Sequence, residues 1–495
     1  MAENENQDTT RNRPQREFPF IPRVINPIKI KNVFIFSADE DIRKSQGVIR
    51  AEMPWIQGRV LSNPLMVSEI RSSNPTVMIL DDTAMNLVDI NKIRQNNDSI
   101  VIVLLSYHKL VHCSPPSIAQ KVFPYTAYAD LIFAVNRHEF NPGRIITSVV
   151  RAAEDHLNIE KRSGISRFIL LIVDDEPSWP SQFLPLLYEI IGQRVDVKVT
   201  RTYEEALRFL FGVQNEEEIP GNYAESGNGD QIVCLITDIF FPKGEDINSN
   251  AGKDLIRLVK KYYARIPIII ASKAAEEADL SGAGFVLPKG DPGSLVTLRR
   301  YIRDLTGIGD FVIHDESGEE LYRLKDVREM YRLFLKADSE GPEAERLRSL
   351  IEMYGEKDKF STWFYMHSLQ ELGDRLRPQK MKGKRMVTIM KRLLKRELLR
   401  MSYIPLIVDG IKANNLQGLL HMLYAVPPEK IQPLSDNDII SSWLDQKGYS
   451  ELAEELRPIH GSGAYLREVI AEIVNKWIII YEKRSEESPE LPESV

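Results

Sequence analysis

Four short apolar runs, each closed by a chemically useful group, constrain this chain more than any other feature. Phe168-Ile169-Leu170-Leu171-Ile172-Val173 is followed by Asp174-Asp175-Glu176. Ile232-Val233-Cys234-Leu235-Ile236-Thr237 is followed by Asp238. Pro267-Ile268-Ile269-Ile270-Ala271 is followed by Ser272, and Gly284-Phe285-Val286-Leu287-Pro288 by Lys289. Runs of this length without polar alternation read as parallel strands buried on both faces. In an open parallel sheet, functional groups collect beyond the carboxyl ends of the strands. Three carboxylates, a hydroxyl and an ammonium are therefore expected at one sheet edge.

Such a cluster permits a narrow chemistry. Carboxylates crowded together repel one another unless a cation sits among them, and an oxygen-only site suits Mg²⁺. A carboxylate can also attack phosphorus and become an aspartyl phosphate. A metal and a lysine would neutralise the transferring phosphoryl group.

With these residues in this order, 166–308 resembles a response-regulator receiver domain. The resemblance implies Asp238 as phosphoacceptor and Asp174 and Asp175 as the metal-binding pair. It implies Asp238 and the backbone carbonyl of Phe240 as further metal ligands, and Ser272 and Lys289 as the phosphoryl contacts. Some positions depart from the family pattern. Pro288-Lys289-Gly290 replaces the usual Lys-Pro order. Val286 stands where the family has its switch aromatic, and Phe285, one position off, would point to the other face. The interval from Ser272 to Lys289 leaves little room for a full fourth helix. Insertions near Asn215–Asp230 and Gly244–Asn250 flank the acceptor strand.

Residues 31–158 repeat the outline and resemble a degenerate receiver. Strand candidates are Val33–Phe36, Thr76–Leu80, Ile100–Leu105 and Ala129–Val135, with a connecting helix near Pro142–Arg162. Asp81 matches the acceptor and Ser106 the hydroxyl, but Ser37 and Ala38 stand at the acidic pair. Ala134-Val135-Asn136-Arg137 carries no matching lysine. Asp39 and Asp41 lie on the wrong side of the turn to replace the missing pair. This copy is expected to be inactive and to serve packing or dimerisation.

The texture becomes helical after Gly309, following a short hairpin over 311–323. Phe360-Ser361-Thr362-Trp363 runs to Leu376-Arg377-Pro378, and eighty positions on Ile440-Ser441-Ser442-Trp443 runs to Leu456-Arg457-Pro458. A Ser or Thr before each Trp is expected to cap a helix, and the Pro to stop one. The first copy, over roughly 310–380, resembles a module found beside receivers and near phosphoenolpyruvate synthase-like proteins. Between the copies, Lys384, Arg385, Lys391, Arg392, Lys395 and Arg396 alternate with apolar residues at helical spacing. This basic amphipathic helix is a candidate partner-binding element.

The chain of 495 residues suits three or four domains, and 43% apolar content supports full cores. A formal charge of −7 gives no global pull toward nucleic acid or anionic membrane. Two cysteines, Cys113 and Cys234, exclude a disulfide framework. No apolar run reaches the length of a spanning helix, and the polar start lacks a secretory signal. The eight histidines form no metal-ligand set; His108 and His112 lack a third partner. Gly461-Ser462-Gly463 reads as a linker.

The expected architecture is α/β plus all-α: two flavodoxin-like (βα)5 receivers in tandem, then a helical region with an internal repeat. The boundaries are a disordered leader 1–30, a pseudo-receiver 31–158, a receiver 166–308, helical modules 311–400 and 401–484, and an acidic tail 485–495. The expected role is a cytoplasmic two-component response regulator, not a metabolic enzyme. A histidine kinase or phosphotransfer protein would phosphorylate Asp238 with Mg²⁺, controlling oligomerisation or a protein partner through the helical region. The alternatives are a phosphorylation-independent scaffold and a nucleic-acid-binding regulator acting through helix 384–400.

Overall fold

The computed structural model describes residues 28–487 apart from 54–55, 62, 64–65, 67–69, 71–72, 86, 98, 107–128, 136–141, 162–167, 221–225, 274–284, 316–317, 378–382 and 402. The leader before residue 28, the tail after 487, Cys113, His108, His112 and the segment between Lys273 and Phe285 therefore lie outside the described residues.

The first α/β unit comprises β1 (Asn32–Phe36), α1 (Glu40–Lys44), α2 (Gln46–Glu52), β2 (Gln57–Val60), β3 (Thr76–Asp81), α3 (Asp82–Met85), α4 (Ile90–Asn96), β4 (Ile100–Ser106), β5 (Leu131–Ala134) and α5 (Pro142–Lys161). Its strands pair in parallel in the order β2-β1-β3-β4-β5. The central strands β3 and β4 are buried along their whole length, which is why they read as continuous apolar runs.

The second unit has β6 (Phe168–Val173), α6 (Ser178–Ile191), β7 (Val195–Thr200), α7 (Tyr203–Phe211), β8 (Ile232–Thr237), β9 (Phe241–Lys243), β10 (Asp246–Ser249), α8 (Ala251–Tyr262), β11 (Ile268–Ser272), β12 (Phe285–Pro288) and α9 (Ser294–Thr306). Its five parallel strands run β12-β11-β8-β6-β7, the same 2-1-3-4-5 layout read from the other edge. Both sheets thus have the flavodoxin-like order. The Gly244–Asn250 insertion is built into an antiparallel hairpin, β9–β10, apart from the main sheet.

Helix α5 lies between the units and covers the open edge of β7. Asp155 accepts from the Val197 N–H at 2.8 Å and from Arg151 Nε at 3.1 Å. An edge strand satisfied this way no longer offers a template for pairing. Residues 28–30, placed in the leader from sequence, are pinned to the same helix. The Ile28 N–H donates to Asn158 at 2.9 Å and the Ile30 N–H to Glu154 at 3.0 Å. Cys234 is fully buried in β8, and burial pushes its thiol up to about 12, so it is a core residue and not a reactive one.

The helical half holds β13 (Phe311–His314), β14 (Glu320–Leu324), α10 (Val327–Ala337), α11 (Pro342–Glu356), α12 (Lys359–Met366), α13 (Gln370–Leu376) and α14 (Gly383–Met401). It continues with β15 (Leu406–Val408), β16 (Ile411–Ala413), α15 (Leu416–Ala425), α16 (Pro428–Asp436), α17 (Ile439–Gln446), α18 (Ser450–Leu456) and α19 (Gly463–Glu487). The residues before each Trp do not cap. The N-cap positions belong to Asp358 and Asp438, both left-handed at φ 53° and 55°. Ser361, Thr362 and Ser441 sit inside the helices, and their hydroxyls donate back to the Asp358 or Asp438 carbonyl. A hydroxyl one turn into a helix finds a carbonyl more readily than a free N–H.

The helical half docks on the amino-terminal ends of the second sheet's strands. Arg377 lies over the Phe168 ring at 5.1 Å and donates to the Asp230 carbonyl at 2.8 Å. The Gln193 N–H donates to Asp438 at 2.6 Å, and Arg194 pairs with Glu454 at 3.0 Å. Gly192, at φ 53°, is required here, because a Cβ would come 2.4 Å from Asp438 Oδ2. Behind this contact Arg457 meets Asp438, Glu454 and Asp445, and His367 Nδ1 lies 2.8 Å from Asp445. Burial alone would raise the Asp445 carboxyl, but His367, Arg457 and Arg194 outweigh it and hold it at about 2, below the ordinary 3.8. The stability it adds is therefore full above pH about 3.8 and is lost as pH falls through about 2; it amounts to roughly 2 kcal/mol. Asp445→Asn should flatten the pH dependence of unfolding free energy across that acid window, and an unchanged slope would remove the assignment.

Candidate functional site

The site forms because strand register places distant residues side by side. Val173 of β6 pairs with Thr237 of β8, so Asp174 and Asp238 leave the sheet together. Ile270 pairs with Thr237 on the other flank, and Ser272 pairs with Pro288, so Lys289 emerges next to them. Lys289 Nζ lies 2.6 Å from Asp174 Oδ2 and also pairs with Asp238 Oδ2. The Glu176 N–H donates to Asp174 Oδ1 at 3.1 Å, and the Ile239 N–H to Asp238 Oδ1 at 2.6 Å.

Burial divides the roles. The Lys289 and Asp174 side chains are 1% and 2% exposed, while Asp238 is 14% exposed and is the reachable carboxylate. Asp175 and Ser272 are buried at the same edge. Phe240 is half-buried and packs against the core between α7 and α8. Gly252 lets α8 approach the loop after β8, since a Cβ there would come 2.1 Å from the Asp238 carbonyl.

Burial pushes the Asp174 carboxyl up to about 7, the Asp238 charge adds to this, and Lys289 only partly opposes it. Burial pulls the Lys289 ammonium down, but Asp174 and Asp238 outweigh it and leave it raised. The pocket is thus short of positive charge, and its donors are all oxygens, a chemistry that fits a hard divalent cation. Among the described residues no three acidic, histidine or cysteine side chains are already grouped around one point as metal ligands. Lys289 takes the place of counter-ion between the two carboxylates.

Three residues at the pocket mouth were not singled out from sequence. Glu176 accepts from Trp179 Nε1 at 3.0 Å and from Lys273 Nζ at 3.0 Å. The Lys273 and Lys289 ammoniums lie 5.4 and 5.5 Å from the Trp179 ring centre, within cation–π range. The closeness of Trp179 to the acidic pair, as the second residue of α6, was the available signal. Phe285 packs on Tyr301 at 5.0 Å toward the α6–α9 layer.

The same register in the first unit brings different residues to the edge. Phe36 pairs with Leu80, so Ser37 and Asp81 leave the sheet together. Ser106 pairs with Ala134, so Val135 stands where Lys289 stands in the second unit. Asp81 accepts from Ser37 Oγ, from the Ala38 N–H at 3.1 Å and from the Ala84 N–H at 2.8 Å. Ser106 donates to Asp82 at 2.9 Å. Asp39 accepts from the N–H groups of Asp41 and Ile42 as the cap of α1.

On the basic helix α14, Lys391 pairs with Asp338, while Lys384, Arg385, Arg392, Lys395 and Arg396 are exposed.

No protein-family model matches the chain, and no curated protein matches it. Among solved structures, similarity extends to a candidate two-component response regulator/GGDEF domain protein. It has 15% identity and a TM-score of 0.25, and covers 55% of this chain and 98% of that one. The E. coli RcsC C-terminus, containing a linker region and phosphoreceiver domain, has 12% identity and a TM-score of 0.19, with 56% and 93% covered. A candidate phosphosugar isomerase of Bacillus subtilis has 10% identity and a TM-score of 0.18, with 56% and 86% covered. Similarity at this level transfers no residue role. Among the described residues no helix is long and apolar enough to cross a membrane.

Proposed function

We propose that the chain is a response regulator that accepts a phosphoryl group on Asp238 from a histidine kinase or phosphotransfer protein. The observation that carries this reading is the meeting of Lys289 with both Asp174 and Asp238 at adjacent strand ends, with Asp238 the more accessible acid. The Asp238 carboxylate forms the new O–P bond while the donor's bond to phosphorus breaks and the donor leaves with the electron pair. Lys289, which pairs with Asp238, and Ser272, at the end of the neighbouring strand, would take the phosphoryl oxygens. Mg²⁺, which offsets phosphoryl charge when bound, would be held by Asp174, Asp175, Asp238 and the Phe240 carbonyl. The protein is a phosphoryl acceptor in this reading and does not turn over a metabolite.

The first unit reads as a degenerate receiver. Ser37, Ala38 and Val135 replace the acidic pair and the lysine, and three neutral donors reach Asp81. Its α5 edge cover makes it a packing partner for the receiver. The helical half reads as two copies of one module, each a hairpin followed by five helices. Trp363 Nε1 donates to Gly309 O and Trp443 Nε1 to Ile404 O, both at 3.0 Å and both two residues before the first hairpin strand.

Acetyl phosphate with Mg²⁺ should add one phosphoryl group to the wild-type chain and none to Asp238→Asn, while Asp81→Asn should behave as wild type. Chelation of the metal should abolish uptake. Equal uptake by the Asp238→Asn protein would sink the assignment.

A further inference from the structure

Helix α14 carries five cations that the fold does not use. At about 100° per residue, Lys384, Arg385, Arg392, Lys395 and Arg396 fall within one arc of about 120°. The opposite face, with Met386, Val387, Met390 and Leu394, is buried in the core against α10 and α11. Among the described residues no acid pairs with any of the five; the neighbouring Lys391 and Arg400 are tied to Asp338 and Glu397. The helix eighty positions further on, α19, pairs three of its four cations with acids. There Arg467, Lys476 and Arg484 pair with Glu468, Glu455 and Glu451. An unneutralised stripe on a chain of net charge −7 is a local feature and not a by-product of composition.

We propose that this stripe binds the phosphate backbone of a nucleic acid. From Lys384 to Arg396 it runs about 18 Å, a length over which a duplex presents about ten phosphates. Three of the five are arginines, whose planar fork suits phosphate oxygens. A bilayer is disfavoured because the apolar face of the helix is already buried and has nothing to insert. An acidic protein is disfavoured because the exposed arc offers one large apolar anchor, Leu399, where protein interfaces need a cluster. The contact is to the backbone, so no sequence preference is expected.

The test uses the full chain with a fluorescent DNA duplex, a duplex RNA of equal length and phosphatidylserine vesicles. Five neutralised phosphates give a slope of log K against log salt of about −4.5, so affinity falls about 500-fold between about 50 and 200 mM salt. Arg392→Glu/Lys395→Glu/Arg396→Glu should cut the slope to about −2 and the fall to about tenfold. Arg392→Lys/Arg396→Lys should keep the wild-type slope, which separates charge from packing. DNA or RNA binding with these slopes supports the stripe. Absence of binding to both at about 50 mM salt, an unchanged slope in the triple variant, or vesicle binding alone overturns it. Asp238→Asn leaves all these outcomes intact, so the result stands apart from the phosphorylation reading.

Discussion

Replacing Arg457 with alanine is expected to cost about 3–5 kcal/mol of stability, because it strands buried carboxylates without their counter-ion. The guanidinium is 1% exposed and reaches Asp438 and Glu454 at 3.3 Å and Asp445 at 3.8 Å. Burial would lower its pKa, yet Glu454, Asp438 and Asp445 outweigh that and raise it. Arg457→Lys should recover only part of the loss, since an ammonium cannot serve three acids in fixed directions. Denaturant unfolding followed by tryptophan fluorescence measures the change. A loss below about 1 kcal/mol would place this group among ordinary surface pairs. Hydrogen exchange adds a second readout. The Gln193 N–H should lose protection in the alanine variant, because its acceptor Asp438 is held in place by Arg457.

The second large effect concerns the pocket. Lys289→Ala should lower phosphoryl uptake from acetyl phosphate on the order of a hundredfold, the loss typical of one preorganised charge stabiliser. With Lys289 absent, the Asp174 carboxyl loses the charge that opposes burial and is pushed up further. Uptake within about threefold of wild type would show that Lys289 is only a structural counter-ion to Asp174.

Strand identity was legible because burial on both faces leaves a continuous apolar run, as in β6, β8 and β11. The meeting of Asp174, Asp238 and Lys289 was legible because register follows from strand order once the layout is parallel. The mouth of the pocket was not. Glu176 and Trp179 look like an unremarkable helix start until Lys273 arrives from another strand. The Asp155 contact to β7 is likewise invisible in sequence, since a carboxylate on a helix reads as solvated until an edge strand is laid beside it. The serines before each Trp misled because an N-cap and a first-turn back-bond use the same residue types. The docking cluster of Asp438, Asp445, Arg457 and His367 spans both copies of the Trp segment, and spacing alone carries no signal of such a join.

The attachment of the helical half has a mechanical consequence. Arg377, Gln193 and Arg194 grip the sheet where its strands begin, whereas Asp238 lies where β8 ends. A six-residue strand separates the two, about 20 Å of nearly inextensible backbone. If Asp238 is phosphorylated as proposed, the donor would meet the end of the sheet opposite the bundle, and a response in the bundle would require the sheet between them to tilt or slide as a slab.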